Sequence, residues 1–333
     1  MNGVRFMVLM VTTRCNLACG YCHTAAGPGG RDMAPETAWR ALEVLADGPG
    51  KCTVELAGGE PLLNWPLVRE LALKVDPARV RLALQTNGLL LNRENLALLR
   101  RRRVGLGLSL DGPPEINDRL RGEGARVLRA LDLIGKAGLG VNVTVVLTRG
   151  NLAALPRFLL LLAQKPAVRV VNLDLVRALG RATPGLAPEP AALRNMVPRL
   201  LDSLAFVNAR RWPPLKVREV EQTLRRARQG RTGPYCLAGV GGYAAVTPGG
   251  RIAACSSLTT EPALGAGHVR APRLTGLASL ARASGLPPEC RDCPALPACR
   301  GGCPARRWAA EGEPTVNPGE CALRGTLWER LVA

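Results

Sequence analysis

Phe6-Met-Val-Leu-Met-Val11, followed at once by Cys15-Asn-Leu-Ala-Cys19-Gly-Tyr-Cys22-His23, is the stretch that decides what kind of protein this is. The apolar run is far short of the ~20 residues of a membrane-spanning helix and too short for the core of a signal peptide. It reads instead as a buried strand that delivers three cysteines at x3 and x2 spacing. Thiolates are soft ligands, and three of them on one loop suit an iron–sulfur cluster, leaving one iron of a four-iron cube open. A structural zinc ion would want a fourth ligand, and His23 adjoins Cys22 too closely to complete a tetrahedron comfortably.

Outward from this loop, short apolar runs alternate with amphipathic segments as far as Leu175. Strands are predicted at Val4–Val11, Thr53–Leu56, Val80–Thr86, Gly105–Leu110, Val141–Leu147 and Val168–Leu175. Helices are predicted at Pro35–Leu45, Pro66–Lys74, Arg93–Arg103 behind an Asn92 cap, Arg126–Ala137 and Leu152–Leu162. Near-continuous Val/Leu strands interleaved with helices argue for an α/β fold with a parallel sheet covered by helices. Six such units predict an open, partial (β/α)6 TIM-like barrel rather than the closed eight-fold form. Chemistry in such folds sits at the C-terminal ends of the strands, which is where Cys15, Cys19 and Cys22 fall.

After a Pro/Gly-rich stretch, Gly180–Pro190, helical patterns at Ala191–Arg210 and Leu215–Gln229 lead into a region of different texture. The expected organisation is a core at 1–212, a helical bridge at 213–234 and a cysteine-rich region at 235–333. There Tyr243–Thr247, Pro248-Gly-Gly250 and Arg251–Ala254 read as a hairpin that carries Cys255. The cysteine string runs Cys236-x13-Gly250-x4-Cys255, then Cys290-x2-Cys293-x5-Cys299-x3-Cys303, then Cys321 at the head of a closing helix predicted over Cys321–Val332. A zinc ribbon could use Cys290, Cys293, Cys299 and Cys303, but it would leave Cys236, Cys255 and Cys321 without a purpose. The eleventh cysteine, Cys52, begins a strand and reads as a small buried hydrophobe. His268 and Trp308 have no motif around them and receive no role.

Composition narrows the classes further. The chain has 333 residues, 47% hydrophobic with only 3% aromatic, which describes a globular protein with a core of Leu, Val and Ala. No run is long enough to span a membrane, and a disulfide framework would favour a small secreted domain, so a cytoplasmic location is expected. The formal charge of +19 invites a nucleic-acid reading. Against it, nearly all of the basic residues are arginine and they are spread along the chain. The one dense run, Arg100-Arg-Arg-Arg103, lies at a predicted helix end where cations suit the dipole. Three [4Fe–4S] clusters held by three, three and four thiolates would add about −1, −1 and −2, for a balance of about +15. A solvated basic face is the expectation, with an acidic peptide or leader segment as its alternative use.

The Cys15-x3-Cys19-x-Tyr21-Cys22 motif resembles that of the radical SAM superfamily, and further elements follow in the same order. Gly58-Gly59-Glu60-Pro61 after the second strand looks like the motif that receives the amino group of S-adenosylmethionine (SAM). Two glycines let a backbone approach a ligand, and a glutamate can stabilise an ammonium. Ser109 and Asp111, in Leu108-Ser-Leu-Asp-Gly-Pro113, resemble a segment of peptide-modifying members. The resemblance implies that Ser109 and Arg121 contact the ribose and carboxylate of SAM and that Tyr21 lies against its adenine. Read without it, Ser109-x-Asp111 is a strand-end turn, Arg121 a surface salt bridge and Thr86-Asn87-Gly88 a turn.

The C-terminal cysteine string resembles the SPASM extension of radical SAM peptide maturases. That resemblance implies one auxiliary [4Fe–4S] cluster on Cys290, Cys293, Cys299 and Cys321 and a second, nearer the active site, on Cys236, Cys255 and Cys303. Anaerobic sulfatase maturases are similar but carry an extra cysteine a few residues after the position of Cys236, absent from Leu237–Tyr243 here. They also place an aspartate where this chain has Ser256. Both departures weigh against sulfatase maturation and leave the second auxiliary cluster with three thiolates, hence a possible open iron that could bind a peptide thiolate.

Taken together, the resemblance implies a radical SAM oxidoreductase, with SAM and three [4Fe–4S] clusters as cofactors. A reduced cluster would cleave SAM to a 5′-deoxyadenosyl radical, which abstracts hydrogen from a ribosomally made peptide to form a thioether or C–C crosslink. Formylglycine formation is the alternative enzyme reading, and a basic, zinc-stabilised nucleic-acid-binding protein the non-enzyme one. Expected partners are a peptide or protein substrate, with an acidic leader as an option, and an external electron donor. Because the chain begins almost at its first strand, leader capture, if needed, is expected from a separate leader-binding protein or from the core itself; a membrane is not expected, and nucleic acid is disfavoured.

Overall fold

The computed structural model describes residues 3–48, 50–230, 233–308 and 315–333. Its backbone is a mixed sheet whose six central strands are parallel and follow chain order: β1 (Phe6–Thr12), β2 (Cys52–Gly58), β3 (Val80–Thr86), β4 (Gly105–Ser109), β5 (Val141–Leu147) and β6 (Val168–Leu175). Between them run α1 (Pro35–Leu45), α2 (Trp65–Lys74), α3 (Arg93–Arg101), α4 (Pro114–Leu120), α5 (Gly124–Lys136) and α6 (Leu155–Ala163). The large parallel sheet fits a TIM-like partial barrel. The helices other than α4 turn an apolar stripe to the sheet; in α5 the buried residues Val127, Ala130, Leu131 and Ile134 recur at helical spacing. The Asn92 cap of α3 is reciprocal, its side chain and that of Asn95 each accepting the other's backbone N–H at 2.9 Å, an arrangement worth about 1 kcal/mol.

Several details differ from the expectation. Helix α4 is absent from the sequence reading; it starts on Pro114 and is held by Asn117, whose side chain accepts from the Asp111 N–H at 3.1 Å and donates to the Gly122 carbonyl at 2.8 Å. Side-chain bonds to residues six positions before and five after Asn117, which periodicity does not register, fix this helix. The segment after α7 (Pro190–Asn208) opens not as helix but as a short seventh parallel strand, β7 (Lys216–Val217), before α8 (Arg218–Gln229). Arg102 does serve a helix end, but that of α2: its guanidinium donates to the carbonyls of Ala72 and Leu73 at 2.6 and 2.8 Å.

The hairpin is present as β8 (Tyr243–Val246) and β9 (Arg251–Ala253), with Gly250 in the left-handed region at its turn. Strand β8 pairs in parallel with β1, so the sheet runs without a break from the core into the cysteine-rich region. Strands β10 (Gly265–His268) and β11 (Ala271–Pro272) close that edge. The remainder is α9 (Ser279–Ala283), α10 (Leu296–Cys299), α11 (Pro304–Arg307) and α12 (Pro318–Leu331), the last beginning three residues before Cys321. Cys52 is buried in the main core, where burial pushes its thiol up to about 11. Among the described residues, no helix is long and apolar enough to cross a membrane.

Candidate active site at the strand ends

The C-terminal ends of the six parallel strands carry the chemistry. Past β1 the chain folds into a loop tied by the Cys15 N–H to the Gly27 carbonyl at 2.7 Å and the Cys22 N–H to the Cys19 carbonyl at 3.2 Å. The Leu17 N–H points at the Cys15 sulfur from 3.4 Å. All three thiols are unbridged, and Cys15, Cys19 and Cys22 pack in one apolar pocket with Leu17, Tyr21 and Ala182. Burial raises the Cys15 and Cys19 thiols, and the neighbouring cysteines add to it, so these groups favour the protonated form until a cation shares the pocket. A coordinating metal supplies that cation, which is the sense in which this donor set fits a cluster.

The loop is closed from outside by a segment that carried no motif. Arg181 donates from Nε to the Cys19 carbonyl and from Nη2 to the Ala26 carbonyl, both at 2.9 Å, and its own N–H reaches the Cys22 carbonyl at 3.0 Å. Gly180 is in the left-handed region, and a Cβ there would meet the Cys22 carbonyl oxygen at 2.3 Å. The only sequence signal was a Gly-Arg pair opening a Pro/Gly-rich stretch.

At the end of β2 the two glycines bring the backbone against β1, not against open space. The Gly59 N–H bonds the Thr12 carbonyl and the Glu60 N–H the Arg14 carbonyl, both at 2.8 Å. A Cβ at Gly58 or Gly59 would lie 2.2 or 2.0 Å from those same carbonyl oxygens. Glu60 is 1% exposed and accepts from the Leu62 N–H, the Thr86 hydroxyl and the Asn87 N–H at 3.1, 2.7 and 2.8 Å. Burial raises its pKa and these three donors offset part of that rise. Its carboxylate therefore locks β2 to β3, with one acceptor site left over. Thr86-Asn87-Gly88 is more than a turn, since Asn87 also reaches Asn16 of the cysteine loop at 2.8 Å.

Beside them lies a buried triad. The Tyr21 hydroxyl donates to the Asp111 carboxylate and accepts from Arg121, whose guanidinium lies 3.8 Å from Asp111. Asp111 also accepts from the Val146 N–H at 2.8 Å, tying β4 to β5. Burial pushes the Asp111 carboxyl above the ordinary range, and Arg121 and Tyr21 pull it back in part. Arg121 is thus no surface salt bridge: its side chain is 10% exposed, and its buried Nε has no acceptor among the described residues. An orphan cationic N–H at the strand ends fits a carboxylate ligand. Ser109, half-buried at the end of β4, accepts from Gln85 at 2.9 Å.

The C-terminal cysteines fall into two neighbourhoods. Cys255 feels Cys303 and Cys236, while Cys299 feels Cys321 and Cys290, and Cys321 feels Cys290 and Cys293. Cys290, Cys293, Cys299 and Cys321 line a single cavity. Among the described residues no three potential ligands converge on a single ion, and four thiols spread around a cavity suit a cluster better than one zinc. Ser256, beside Cys255, accepts a hydrogen bond from the Tyr243 hydroxyl at 2.7 Å. His268, the last residue of β10, lies against the hairpin turn, its Nε2 2.7 Å from the Gly249 carbonyl, and Trp308 packs on the small core around Cys236 and Cys255.

Known proteins resemble this chain in sequence over its first half and in fold over nearly all of it. The radical SAM superfamily model matches residues 9–162. An uncharacterized protein of Methanocaldococcus jannaschii is 27% identical over 62% of this chain and 80% of its own length. The mycofactocin maturase MftC of Mycobacterium tuberculosis is 33% identical over 52% of this chain, which spans only 45% of that maturase. Among solved structures, the anaerobic sulfatase maturase anSMEcpe with bound AdoMet and the Cp18Cys peptide superposes with a TM-score of 0.79. The match covers 98% of this chain and 97% of that one at 20% identity, a likeness of fold. The cysteine loop, the Gly-Gly-Glu turn and the Tyr21–Asp111–Arg121 triad all lie within the matched residues, and residues 9–162 of the chain are a radical SAM domain, whose superfamily members are enzymes.

Proposed function

We propose that this enzyme modifies a ribosomally synthesised peptide, forming a thioether or C–C crosslink between side chains. The observation that carries the reading is the sorting of ten cysteines into neighbourhoods of three, three and four. Cys15, Cys19 and Cys22 would hold the [4Fe–4S] cluster that opens an iron to SAM. Cys236, Cys255 and Cys303 would hold one auxiliary cluster and Cys290, Cys293, Cys299 and Cys321 another, in a SPASM-type region over 235–333 attached through the bridge at 213–234. Bound together, SAM and its cluster supply a 5′-deoxyadenosyl radical able to abstract hydrogen from an unactivated C–H bond. The protein's own residues bind and orient: Arg121 for the SAM carboxylate, Ser109 for its ribose, Tyr21 beside its adenine, and the Gly58-Gly59-Glu60 turn for its amino group.

The peptide reading is supported by MftC, a maturase, and by anSMEcpe, which binds a peptide; it extends to this chain a substrate class those proteins' names carry. An external electron donor completes the proposed system, and leader capture, if the peptide needs it, falls to a separate protein or to the core itself. Formylglycine formation remains the second reading, disfavoured by Ser256 and by the missing cysteine in Leu237–Tyr243.

The test is co-expression with small peptides encoded beside the gene, followed by mass spectrometry. A crosslink removes about two hydrogens and suppresses fragmentation between the joined residues. A modified peptide that fragments normally and reacts with hydrazide carries an aldehyde and would establish the formylglycine reading. Anaerobically purified protein that is colourless and zinc-loaded would overturn both.

A further inference from the structure

The segment from Asp174 to Ala182 touches both ends of the proposed redox system. At one end, Gly180 and Arg181 lie on the Cys19–His23 backbone, and Val176 and Ala182 pack in the pocket of Cys15, Cys19 and Cys22. At the other, Leu179 packs in the small core with Cys236 and Cys255. Between them stands an ion cluster. Asp174 Oδ2 accepts from Arg177 Nη1 at 2.8 Å, and Asp174 Oδ1 accepts from Arg306 Nη2 at 2.5 Å. Arg306 also donates to the Leu175 carbonyl at 2.6 Å and pairs with Glu320. It belongs to the short helix that starts immediately after Cys303, and its N–H bonds the Cys303 carbonyl at 3.0 Å.

Asp174 therefore does two things. It anchors the cysteine-rich region to the end of β6 through Arg306, and it holds Arg177 in the same ion cluster as Arg306, whose helix starts immediately after Cys303. Arg177 keeps a donor in hand, because its Nε is buried and has no acceptor among the described residues. A guanidinium held in the ion cluster that anchors the Cys303 segment is a fixed positive charge near a centre that becomes more negative on reduction. Local charge and hydrogen bonds to sulfur are among the factors that set cluster potentials.

We infer that Arg177, positioned by Asp174, raises the reduction potential of the centre held by Cys236, Cys255 and Cys303. The inference rests on the auxiliary-cluster reading above and gives this chain a specific residue for biasing that centre toward accepting electrons. Its sign is opposite for the two partners. Removing the arginine charge makes reduction harder, whereas removing the Asp174 charge leaves Arg177 uncompensated, with Arg306 still paired to Glu320, and makes reduction easier.

The experiment is an anaerobic, EPR-monitored redox titration of the full chain carrying Cys15→Ala, Cys19→Ala and Cys22→Ala, so that only auxiliary centres report. Iron content is measured first. Protein without iron overturns the auxiliary-cluster reading and this inference with it. With iron present, Arg177→Gln should lower the midpoint of one couple by about tenfold in its reduced-to-oxidised ratio, or ~59 mV for one electron. Asp174→Asn should raise the same couple, and the other couple should stay in place as an internal reference. Iron retained with neither variant moving a midpoint, or with both moving it the same way, overturns the inference and leaves the cluster reading standing. Should Arg177→Gln lose its iron, the rise or its absence in Asp174→Asn decides alone.

Discussion

Arg181 and Cys19 lie 162 positions apart in the chain, yet the Arg181 guanidinium donates to the Cys19 carbonyl at 2.9 Å. The same side chain reaches Ala26, so one residue from beyond the sixth strand braces both sides of the loop that carries the first three cysteines. A loop meant to hold a metal cluster must keep its sulfurs converging while its backbone has little regular structure of its own. External bonds to its carbonyls supply that rigidity.

Arg181→Ala should therefore loosen the loop. Charge-assisted hydrogen bonds contribute roughly 1.5–3 kcal/mol, and denaturant unfolding should show a loss of that order. Iron per chain after anaerobic reconstitution should fall as well, with the deficit confined to the N-terminal site. Unchanged iron content and unchanged stability together would remove Arg181 from the account.

Glycine at position 59 is required by backbone, not by ligand. Gly59→Ala would place a methyl 2.0 Å from the Arg14 carbonyl oxygen, with no flexible side chain to give way. We expect destabilisation of about 3 kcal/mol or more and loss of SAM binding by equilibrium dialysis. Gly20 is the control within the same region: a Cβ there meets nothing within 4 Å, so Gly20→Ala should change stability by no more than about 0.5 kcal/mol. Equal effects at the two positions would refute the steric argument.

Acid stability should report on Asp174. Despite the burial that opposes its charge, Arg177 and Arg306 hold its carboxyl well below the usual aspartate range. A carboxyl with a depressed folded-state pKa adds stability that is complete above its unfolded value of about 3.9 and is lost as pH falls below it. Stability measured by urea unfolding should thus decline between about pH 4 and pH 2 in the wild type. Asp174→Asn should start lower at neutral pH and decline less steeply across that window. A parallel decline in both proteins would show that the Asp174 ion cluster contributes nothing to the linkage.

The strands, the strand–helix alternation and the β8–β9 hairpin were legible because each depends on local pattern: continuous Val/Leu runs, apolar stripes, a Pro-Gly-Gly turn. The cysteines were legible because ligand spacing is itself a sequence property. What escaped is made by particular partners with no motif, near or far in the chain. Helix α4 depends on the side-chain bonds of Asn117 to Asp111 and Gly122, and β7 exists because β6 offers an open edge. Gly58 and Gly59 suggested room for a ligand, but their missing side chains make room for the end of β1. Arg306 looked like one more arginine in a basic chain until the fold set it between Asp174 and Glu320.

The Tyr21–Asp111–Arg121 triad gives the sharpest energetic test, because its members differ in what each leaves behind. Tyr21→Phe removes a bridging hydroxyl but keeps the Arg121 and Asp111 charges 3.8 Å apart, so the cost should be about 1–3 kcal/mol. Arg121→Gln leaves Asp111 buried with its cationic partner gone, and breaking a buried pair in this way typically costs about 3–5 kcal/mol. Once Arg121 is absent, the Tyr21 hydroxyl has only one partner to lose. The double variant should therefore be less destabilised than the sum of the two single variants, by about 0.5 kcal/mol or more. Arg121→Gln combined with Asp111→Asn should recover part of the loss, since the uncompensated charge is gone. A double-mutant cycle by urea unfolding on the SAM-free protein separates these cases: strict additivity between positions 21 and 121 would mean that the two side chains do not share a network, and the triad would dissolve into three independent contacts.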